Sequence, residues 1–323
     1  MDWRAARRSV TVRELVGLRA VAGAIGRHWH ARLVIIGSVA VCAGWISAPP
    51  QAPPDIEAVM TRVGARVAEY HRRAQRVMCV EQSTVQPIQS NWAPDGFSRT
   101  VELELRVESE AADGDTPPTA RVIREIRRIN GRAPRERDKK DRSGCTDPNP
   151  LSPEPLAFLL PGHRDEYRFT SLRNGREKDR AALVVDFMST NRTSRPELVE
   201  DERGHDDCFD WSGPLATRGR VWVDAFTHEV LRVDRRIDGP VDVRVPWRLQ
   251  RRYNLAPWVV IERDDQTMRY KAVAFRDPDE VMLLPESSES LTVLRGGLQS
   301  TRRTETFSSY RRFLTEGRVV KDP

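Results

Sequence analysis

The feature that most constrains the fold of this chain is the stretch GRVWVDAFTHEVLRVDRRI, residues 219–237. Its apolar side chains recur at every second position, first at Val221 and Val223 and then at Leu231 and Val233. This is the period of β-strands that bury one face. A short polar segment between the two runs is suited to a turn. The stretch therefore predicts an antiparallel hairpin at the centre of a sheet, with these four side chains buried.

Similar alternation continues through most of the chain after residue 78. Asn130–Gly131 and Asn174–Gly175 are typical of hairpin turns, and Pro246 predicts an edge strand or a bulge in its run. The predicted strands cover residues 78–85, 100–107, 121–129, 167–172, 181–187, 219–237, 241–249, 258–261, 267–275, 290–294 and 304–313. The series predicts a mainly β domain with antiparallel pairing.

One amphipathic helix precedes these strands. Asp55 is a suitable N-cap, and apolar residues recur at helical spacing from Ile56 to Val77, opposite a face rich in arginine. We therefore expect a long N-terminal helix that packs on the sheet. Farther along, the Pro-rich stretch 143–162 interrupts the strands. Its apolar residues 155–160 predict a turn of helix that either plugs one end of the sheet or lines a ligand entrance.

The first 54 residues have the order of an export signal. Residues 1–32 form a basic region, residues 33–48 form the long apolar run LVIIGSVAVCAGWISA, and residues 49–54 form a Pro-rich spacer. Basic, apolar and small residues in this order indicate a signal peptide, or a membrane anchor if the segment is not cleaved. We expect the domain, residues 55–314, to be periplasmic or anchored to the inner membrane and facing the periplasm, with 315–323 as a tail.

The positive charge of the chain is concentrated in this basic region. Residues 1–32 carry seven arginines and two acidic residues, a net charge of +5 out of a total of +6. The remainder carries about +1, which argues against a broad nucleic-acid-binding surface. We therefore expect no nucleic-acid partner.

The whole pattern resembles a known family. The signal, the single amphipathic helix and the antiparallel meander with GRVWVDAFTHEVLRVDRRI, followed by FRDPDEVMLLPESSESLTVLRGG and RRTETFSSYRRF, resemble the LolA/LolB-like superfamily. This superfamily contains periplasmic lipoprotein carriers and sigma-factor regulators. The resemblance covers residues 55–314. It implies a mainly β (α+β) fold in which a strongly curved antiparallel sheet forms a half-open barrel around a helix, as in bacterial members of the group.

The four cysteines suggest one disulfide. Cys145 and Cys208 both lie in polar loops, and export would place them in an oxidising compartment where such cysteines form disulfides. We therefore predict a Cys145–Cys208 disulfide, with Cys79 buried as a small apolar residue. A pair that involves Cys79 remains an alternative. Cys42 lies in the apolar run.

The sequence offers no convincing catalytic site. It lacks a nucleophile motif and a nucleotide-binding glycine pattern. The cluster from His205 to Asp210 is the densest group of potential metal ligands, and it raises the hypothesis of a metal-assisted hydrolase. An acidic surface loop is the simpler interpretation. We therefore expect no enzyme and no cofactor.

The sequence favours two classes of function. In the first, the concave face of the sheet holds a lipid or another apolar ligand in the cell envelope, because one helix covers only part of so much apolar surface. The predicted lining consists of Val101, Leu103, Leu105, Val107, Val243, Val245 and Trp247. In the second, the cavity is filled by the protein's own side chains, and the domain is a structural or sensory module that binds an envelope protein.

Overall fold

The computed structural model describes residues 55–110, 119–139, 145–191, 195–201, 208–276 and 279–312. These residues belong to one unit, Ala52–Pro323. The predicted basic region, apolar run, spacer and C-terminal tail lie outside the described residues.

A helix, α1 (Ile56–Ala74), comes first. The carboxylate of Asp55 accepts a hydrogen bond from the backbone N–H of Glu57 at 3.1 Å, which caps the helix. Val59, Met60 and Val63 lie on its buried face. The remaining elements are β1 (Val77–Ile88), β2 (Arg99–Glu110), β3 (Thr119–Ile129), β4 (Leu151–Pro153), β5 (Tyr167–Glu177), β6 (Arg180–Ser189), β7 (Leu198–Glu200), β8 (Phe209–Trp211), β9 (Thr217–Asp224), β10 (Val230–Ile237), β11 (Val241–Arg244), α2 (Trp247–Tyr253), β12 (Trp258–Arg276), β13 (Asp279–Arg295) and β14 (Ser300–Arg312).

Twelve of the strands form one antiparallel sheet. Its order is β4-β3-β2-β1-β14-β13-β12-β10-β9-β6-β5, and β11 pairs with the first residues of β12. The short strands β7 and β8 pair with each other. Among the described residues the outermost strands β4 and β5 do not pair, so the sheet does not close into a barrel.

The hairpin that the sequence predicted at 219–237 is confirmed. Strands β9 and β10 pair with each other and lie between β6 and β12, inside the sheet. Val221 and Val223 are fully buried, and Leu231 and Val233 are nearly so. They belong to a core that also contains the buried face of α1. We call the side of the sheet that faces α1 the inner face.

Three predicted details of the strands are wrong. Residues 258–261 and 267–275 do not form separate strands, because both belong to β12. Asn174–Gly175 does not form a turn, because β5 continues to Glu177 and the chain turns at Lys178, which has a positive φ of 51°. Gly175 instead allows β5 to pack closely against β6, because a Cβ atom there would lie 2.5 Å from Val184 Cγ2. The prediction of one strand through 241–249 is wrong beyond Arg244, because Pro246 is the N-cap of α2 and does not form a bulge.

The Asn130–Gly131 turn is confirmed. Asn130 and Gly131 have φ values of 47° and 78°, as a type I′ turn requires, and Ile129 and Arg132 exchange backbone hydrogen bonds across them. The pairing ends there, since Ile129–Arg132 is an isolated bridge.

Candidate functional site

The candidate site is a cavity of about 670 Å³ between the inner face and the segment 145–167. Strands β3, β6, β10, β12 and β14 supply its floor, and residues from 145 to 167 supply its roof. Its apolar lining consists of Ala157, Phe158, Tyr167, Phe187, Val233 and Met268. Its basic lining consists of Arg124, His163, Arg235 and Arg303, and its acidic lining of Asp147, Glu154, Glu166 and Glu305. We call it the inner-face cavity.

Strand register brings the floor residues together. Val233 pairs with Met268 across β10 and β12, and Arg235 pairs with Gln266. Directly opposed residues of neighbouring antiparallel strands project to the same face, as do residues two apart on one strand. The alternation that buries Val233 therefore also directs Arg235 to the inner face.

Aromatic rings form one wall of the cavity. The ring centroids of Phe158 and Phe187 lie 4.9 Å apart, and those of Phe158 and Tyr167 lie 5.2 Å apart, within the range of favourable aromatic contacts. Gly219 makes room for this wall, because a Cβ atom there would lie 2.5 Å from the Phe187 ring and 2.1 Å from the carbonyl oxygen of Asp234. A side chain at position 219 would therefore displace the wall.

Three arginines hold the roof segment 145–153. Arg99 donates to both carboxylate oxygens of Asp147, at 2.6 and 2.7 Å. Arg303 donates to the backbone carbonyl of Thr146 at 2.6 Å. Arg124 donates to Ser152 Oγ at 2.8 Å. These charge-assisted bonds fix the segment over the sheet, so the roof is part of the folded structure.

The predicted disulfide between Cys145 and Cys208 is confirmed. Their Cα atoms lie 5.2 Å apart. The bond links the roof to Cys208, the residue directly before β8. Cys79 is a free, buried thiol, as predicted. Burial raises its pKa to about 12.

The next part of the roof is joined to α1 by a buried carboxylate. Glu154 accepts hydrogen bonds from the Leu156 N–H at 2.6 Å and from Tyr70 Oη at 3.2 Å, and its Oε2 lies 2.9 Å from His71 Nε2. Leu156 and Leu159 then enter the same core as α1. The segment 155–160 therefore fills the core with its leucines, while Phe158 lines the cavity.

A second buried carboxylate lies beneath the roof. Glu81 on β1 is fully buried, and its Oε2 accepts a hydrogen bond from Arg124 Nε at 2.6 Å. Among the described residues its Oε1 has no hydrogen-bond partner. Burial raises the pKa of Glu81, and the positive charge of Arg124 opposes this shift. Arg124 thus divides its donors between a core carboxylate and the roof.

Arg235 differs from the other arginines of the cavity. Its side chain is exposed, and within the described part of the chain no carboxylate pairs with it. Burial raises the pKa of the neighbouring Tyr167 phenol, and the positive charge of Arg235 opposes this effect. Arg235 therefore offers an available cation beside the aromatic wall.

The structure places the predicted lining residues in several separate clusters. Val101 and Leu103 pack with Ile129, whereas Val107 packs near Phe275. Leu105 alone belongs to the core that contains Phe187, Val233 and Met268 of the cavity. All four β2 residues are buried. The sequence thus identified the correct face of β2, and lining of a ligand by these residues stays a prediction.

The second predicted set divides further. Val243 and Val245 are buried in a cluster formed with Leu249 and Val259, apart from the main core. Trp247 does not share their face, because it lies on α2 with 68% of its surface exposed. The helix that begins after Pro246 ends the alternation on which the prediction for Trp247 depended.

Residues 205–207 of the predicted ligand cluster 205–210 lie outside the described residues. Cys208 is oxidised and Asp210 lies on β8. The described residues contain no group of three or more His, Cys, Asp and Glu side chains with metal-site geometry. They also contain no helix that is both long and apolar enough to cross a membrane.

The comparisons with known proteins give a distant relationship. No protein-family model and no curated protein matches the chain. A LolA superfamily protein, NE2245 from Nitrosomonas europaea, is similar over 80% of this chain and 93% of its own, with 8% identity and a TM-score of 0.30. MucB in complex with MucA(peri) covers 78% and 98%, with 11% identity and a TM-score of 0.21. The Pseudomonas aeruginosa MucA/MucB complex covers 77% and 98%, with 9% identity and a TM-score of 0.19.

Proposed function

We propose that the domain is a non-enzymatic binding module and that the inner-face cavity holds an amphipathic ligand with an anionic group. One observation carries the proposal: an aromatic wall and the guanidinium of Arg235, which has no carboxylate partner among the described residues, face the same cavity. The wall suits an apolar chain or ring, and Arg235 suits a carboxylate or phosphate. Binding of this kind needs no catalytic residue.

The size of the cavity supports a small-molecule ligand. Its volume of about 670 Å³ lies within the roughly 300–1,000 Å³ of typical ligand sites. Each buried methylene group contributes about 0.8 kcal/mol, so an acyl chain gains affinity without polar chemistry. The anionic group then sets the orientation of the chain. For a longer chain we extend the proposal to Leu105, which belongs to the same core as the wall.

A curved sheet is part of this proposal. Helix α1 contacts both β2 and β5, which lie eight positions apart in the sheet. In a flat sheet eight strand spacings would cover about 38 Å, whereas a helix of 19 residues is about 28 Å long. Contact with both strands supports a strongly curved sheet that forms a half-open barrel around α1.

Titration with a fluorescent fatty acid tests the proposal, with Arg235→Gln as the variant and Arg236→Gln as the matched control. Arg236 is also exposed but follows Arg235 on β10 and so projects to the opposite face. Loss of a charge-assisted hydrogen bond should weaken binding about ten-fold in Arg235→Gln and leave Arg236→Gln unchanged. Phe158→Ala should weaken binding of both charged and uncharged probes.

Circular dichroism establishes that each variant keeps its fold. The proposal fails if the wild-type protein binds no fatty acid saturably. It also fails if the Arg235→Gln and Arg236→Gln variants bind the fatty acid equally well, because Arg235 then does not bind its carboxylate.

A protein-interaction module is the second candidate. The observation that favours it is that the protein itself covers part of the inner face: α1 and Leu159 pack with residues of the strands in one core. In that case the partner is an envelope protein, and the remaining cavity has no ligand. Affinity capture from envelope extracts separates the two candidates, since the carrier keeps its ligand without a protein partner.

We further propose that the domain works in the periplasm. The Cys145–Cys208 disulfide supports this location, because such bonds persist in oxidising compartments. The order of basic region, apolar run and Pro-rich spacer in residues 1–54 agrees with it. A reporter that is active only in the periplasm, fused after residue 60, should be active. Activity of a cytoplasmic reporter alone would contradict this location.

A further inference from the structure

Exposed aromatic side chains concentrate at one end of the sheet. Among the described residues five Phe and Trp side chains are exposed, and all except Phe226 lie at this end. The exposed fractions are 44% for Trp92, 97% for Phe97, 68% for Trp247 and 52% for Trp258. An aromatic surface of this kind is unusual unless another surface covers it.

Strand register shows that these residues share one end. Ile88, the last residue of β1, pairs with Ser300, the first residue of β14. Arg295, the last residue of β13, pairs with Val260 near the start of β12. Trp258 pairs with Arg244, the last residue of β11. The turn after β1, helix α2 and the start of β12 therefore meet at the same end, which we call the tryptophan end.

The segment of the tryptophan end that carries Trp247 and Trp258 is basic. Residues 244–258 contain four arginines and no acidic residue, a net charge of +4. Arg251 stacks on the Trp247 ring at 5.7 Å and has no carboxylate partner in the described part of the chain. Arg248 and Arg252 share one carboxylate, that of Glu200. Positive charge thus remains available beside the exposed rings.

The first turn of helix α1 lies nearer to the tryptophan end than its last turn does. Arg164, which precedes β5, forms an ion pair with Glu57 in the first turn of α1. At the other end of the helix, Arg73 donates to the Val281 carbonyl at 2.9 Å, where β13 begins. The sequence before α1 contains the predicted membrane segment 33–48, joined by only six residues, 49–54. Six residues span at most about 20 Å.

We propose that the tryptophan end docks on the surface of an anionic lipid bilayer. Trp side chains favour the headgroup region, where the ring is buried and the indole N–H stays hydrated. Arginines next to them attract acidic headgroups. The aromatic residues protrude from three separate segments, and a deformable lipid surface accommodates all three at once. This docking is independent of the ligand in the inner-face cavity, because Arg235 and the aromatic wall take no part in it.

Quenching by brominated lipids tests the docking. The full chain is reconstituted into vesicles of brominated phosphatidylcholine, with and without phosphatidylglycerol, and tryptophan emission is recorded. Wild-type protein should show a blue shift and stronger quenching when phosphatidylglycerol is present. Trp247→Phe with Trp258→Phe should lose this increase, and Arg248→Gln with Arg251→Gln should reduce it at least two-fold.

Trp222→Phe is the matched control, because Trp222 lies in β9 between Arg220 and Arg232, away from this end. Trp3, Trp29 and Trp45 precede the domain and are unchanged in all chains, so their contribution cancels in the comparison. Equal quenching of the wild type and the Trp247/Trp258 variant would overturn the proposal. A blue shift that depends on protein concentration without vesicles would also overturn it, in favour of contact with a second copy.

Discussion

At the scale of single residues, the buried charges beneath the roof are the most consequential feature. The fully buried carboxylate of Glu81 would be costly alone, and the guanidinium of Arg124 compensates it while it also bonds Ser152 of the roof. One ion pair therefore connects the sheet with the segment that covers the cavity. Replacement of either partner should affect both the stability of the fold and the shape of the site.

The pH dependence of stability tests this ion pair. Burial raises the pKa of Glu81 above its ordinary value of 4.5, so the folded state binds this proton more strongly than the unfolded state does. The contribution of Glu81 to the free energy of unfolding is therefore greatest below about pH 4.5 and is lost as the pH rises through the folded-state pKa. The thermal midpoint of the wild type should fall relative to that of Glu81→Gln between pH 4 and pH 7.

Thermal unfolding of both proteins at several pH values gives this comparison directly. Ser83→Ala provides the control, since Ser83 is a buried neighbour on the same face of β1 without a titratable group. A constant difference between the wild type and Glu81→Gln, or a difference of the opposite sign, would show that the pKa of Glu81 is not raised.

Individual site residues were predictable to different degrees. Arg235 follows Val233 by two positions in an unambiguous strand, so its direction could have been read from the sequence. Arg124 lies in a segment whose apolar spacing fits both a helix and a strand, and its partner Glu81 lies on another strand. An ion pair between residues of two different strands cannot be predicted from the spacing of residues within either strand.

At the scale of elements, the hairpin of β9 and β10 organises the fold. It lies inside the sheet, and its apolar residues contact the core around α1. Strict alternation made it predictable. Two of the wrong predictions arose where Gly and Pro residues had roles other than turns or bulges. Gly175 allows close packing against Val184 within a strand, and Pro246 caps a helix.

Val223→Asp should unfold the domain. Val223 is fully buried in the middle of the sheet, where a carboxylate would find no partner, so the loss should be about 3 kcal/mol or more. Phe226→Asp at the exposed tip of the same hairpin is the control and should change the free energy of unfolding by less than about 0.5 kcal/mol. Urea unfolding of both variants measures these changes in the free energy of unfolding. A folded Val223→Asp protein with an unchanged midpoint would contradict the central position of this hairpin.

At the scale of the whole molecule, the order of strands could not be predicted from the sequence. The first strand, β1, pairs with the last, β14, across more than 200 residues. Pairing over such distances depends on tertiary packing, since sequence patterns specify which face of a strand is buried but not its neighbour. The disulfide was predictable because it needed only two oxidised loop cysteines. The roof over the cavity was not, because arginines from β2, β3 and β14 hold it.

Native mass spectrometry of the protein from its own envelope tests whether the inner-face cavity holds an amphipathic ligand. The wild type should carry an additional mass that is released on denaturation and has an apolar chain with an acidic group. Arg236→Gln should keep this mass, Arg235→Gln should lose most of it, and Phe158→Ala should carry less. If the wild-type protein carries no additional mass under conditions that preserve its fold, the cavity holds no such ligand and the account is wrong.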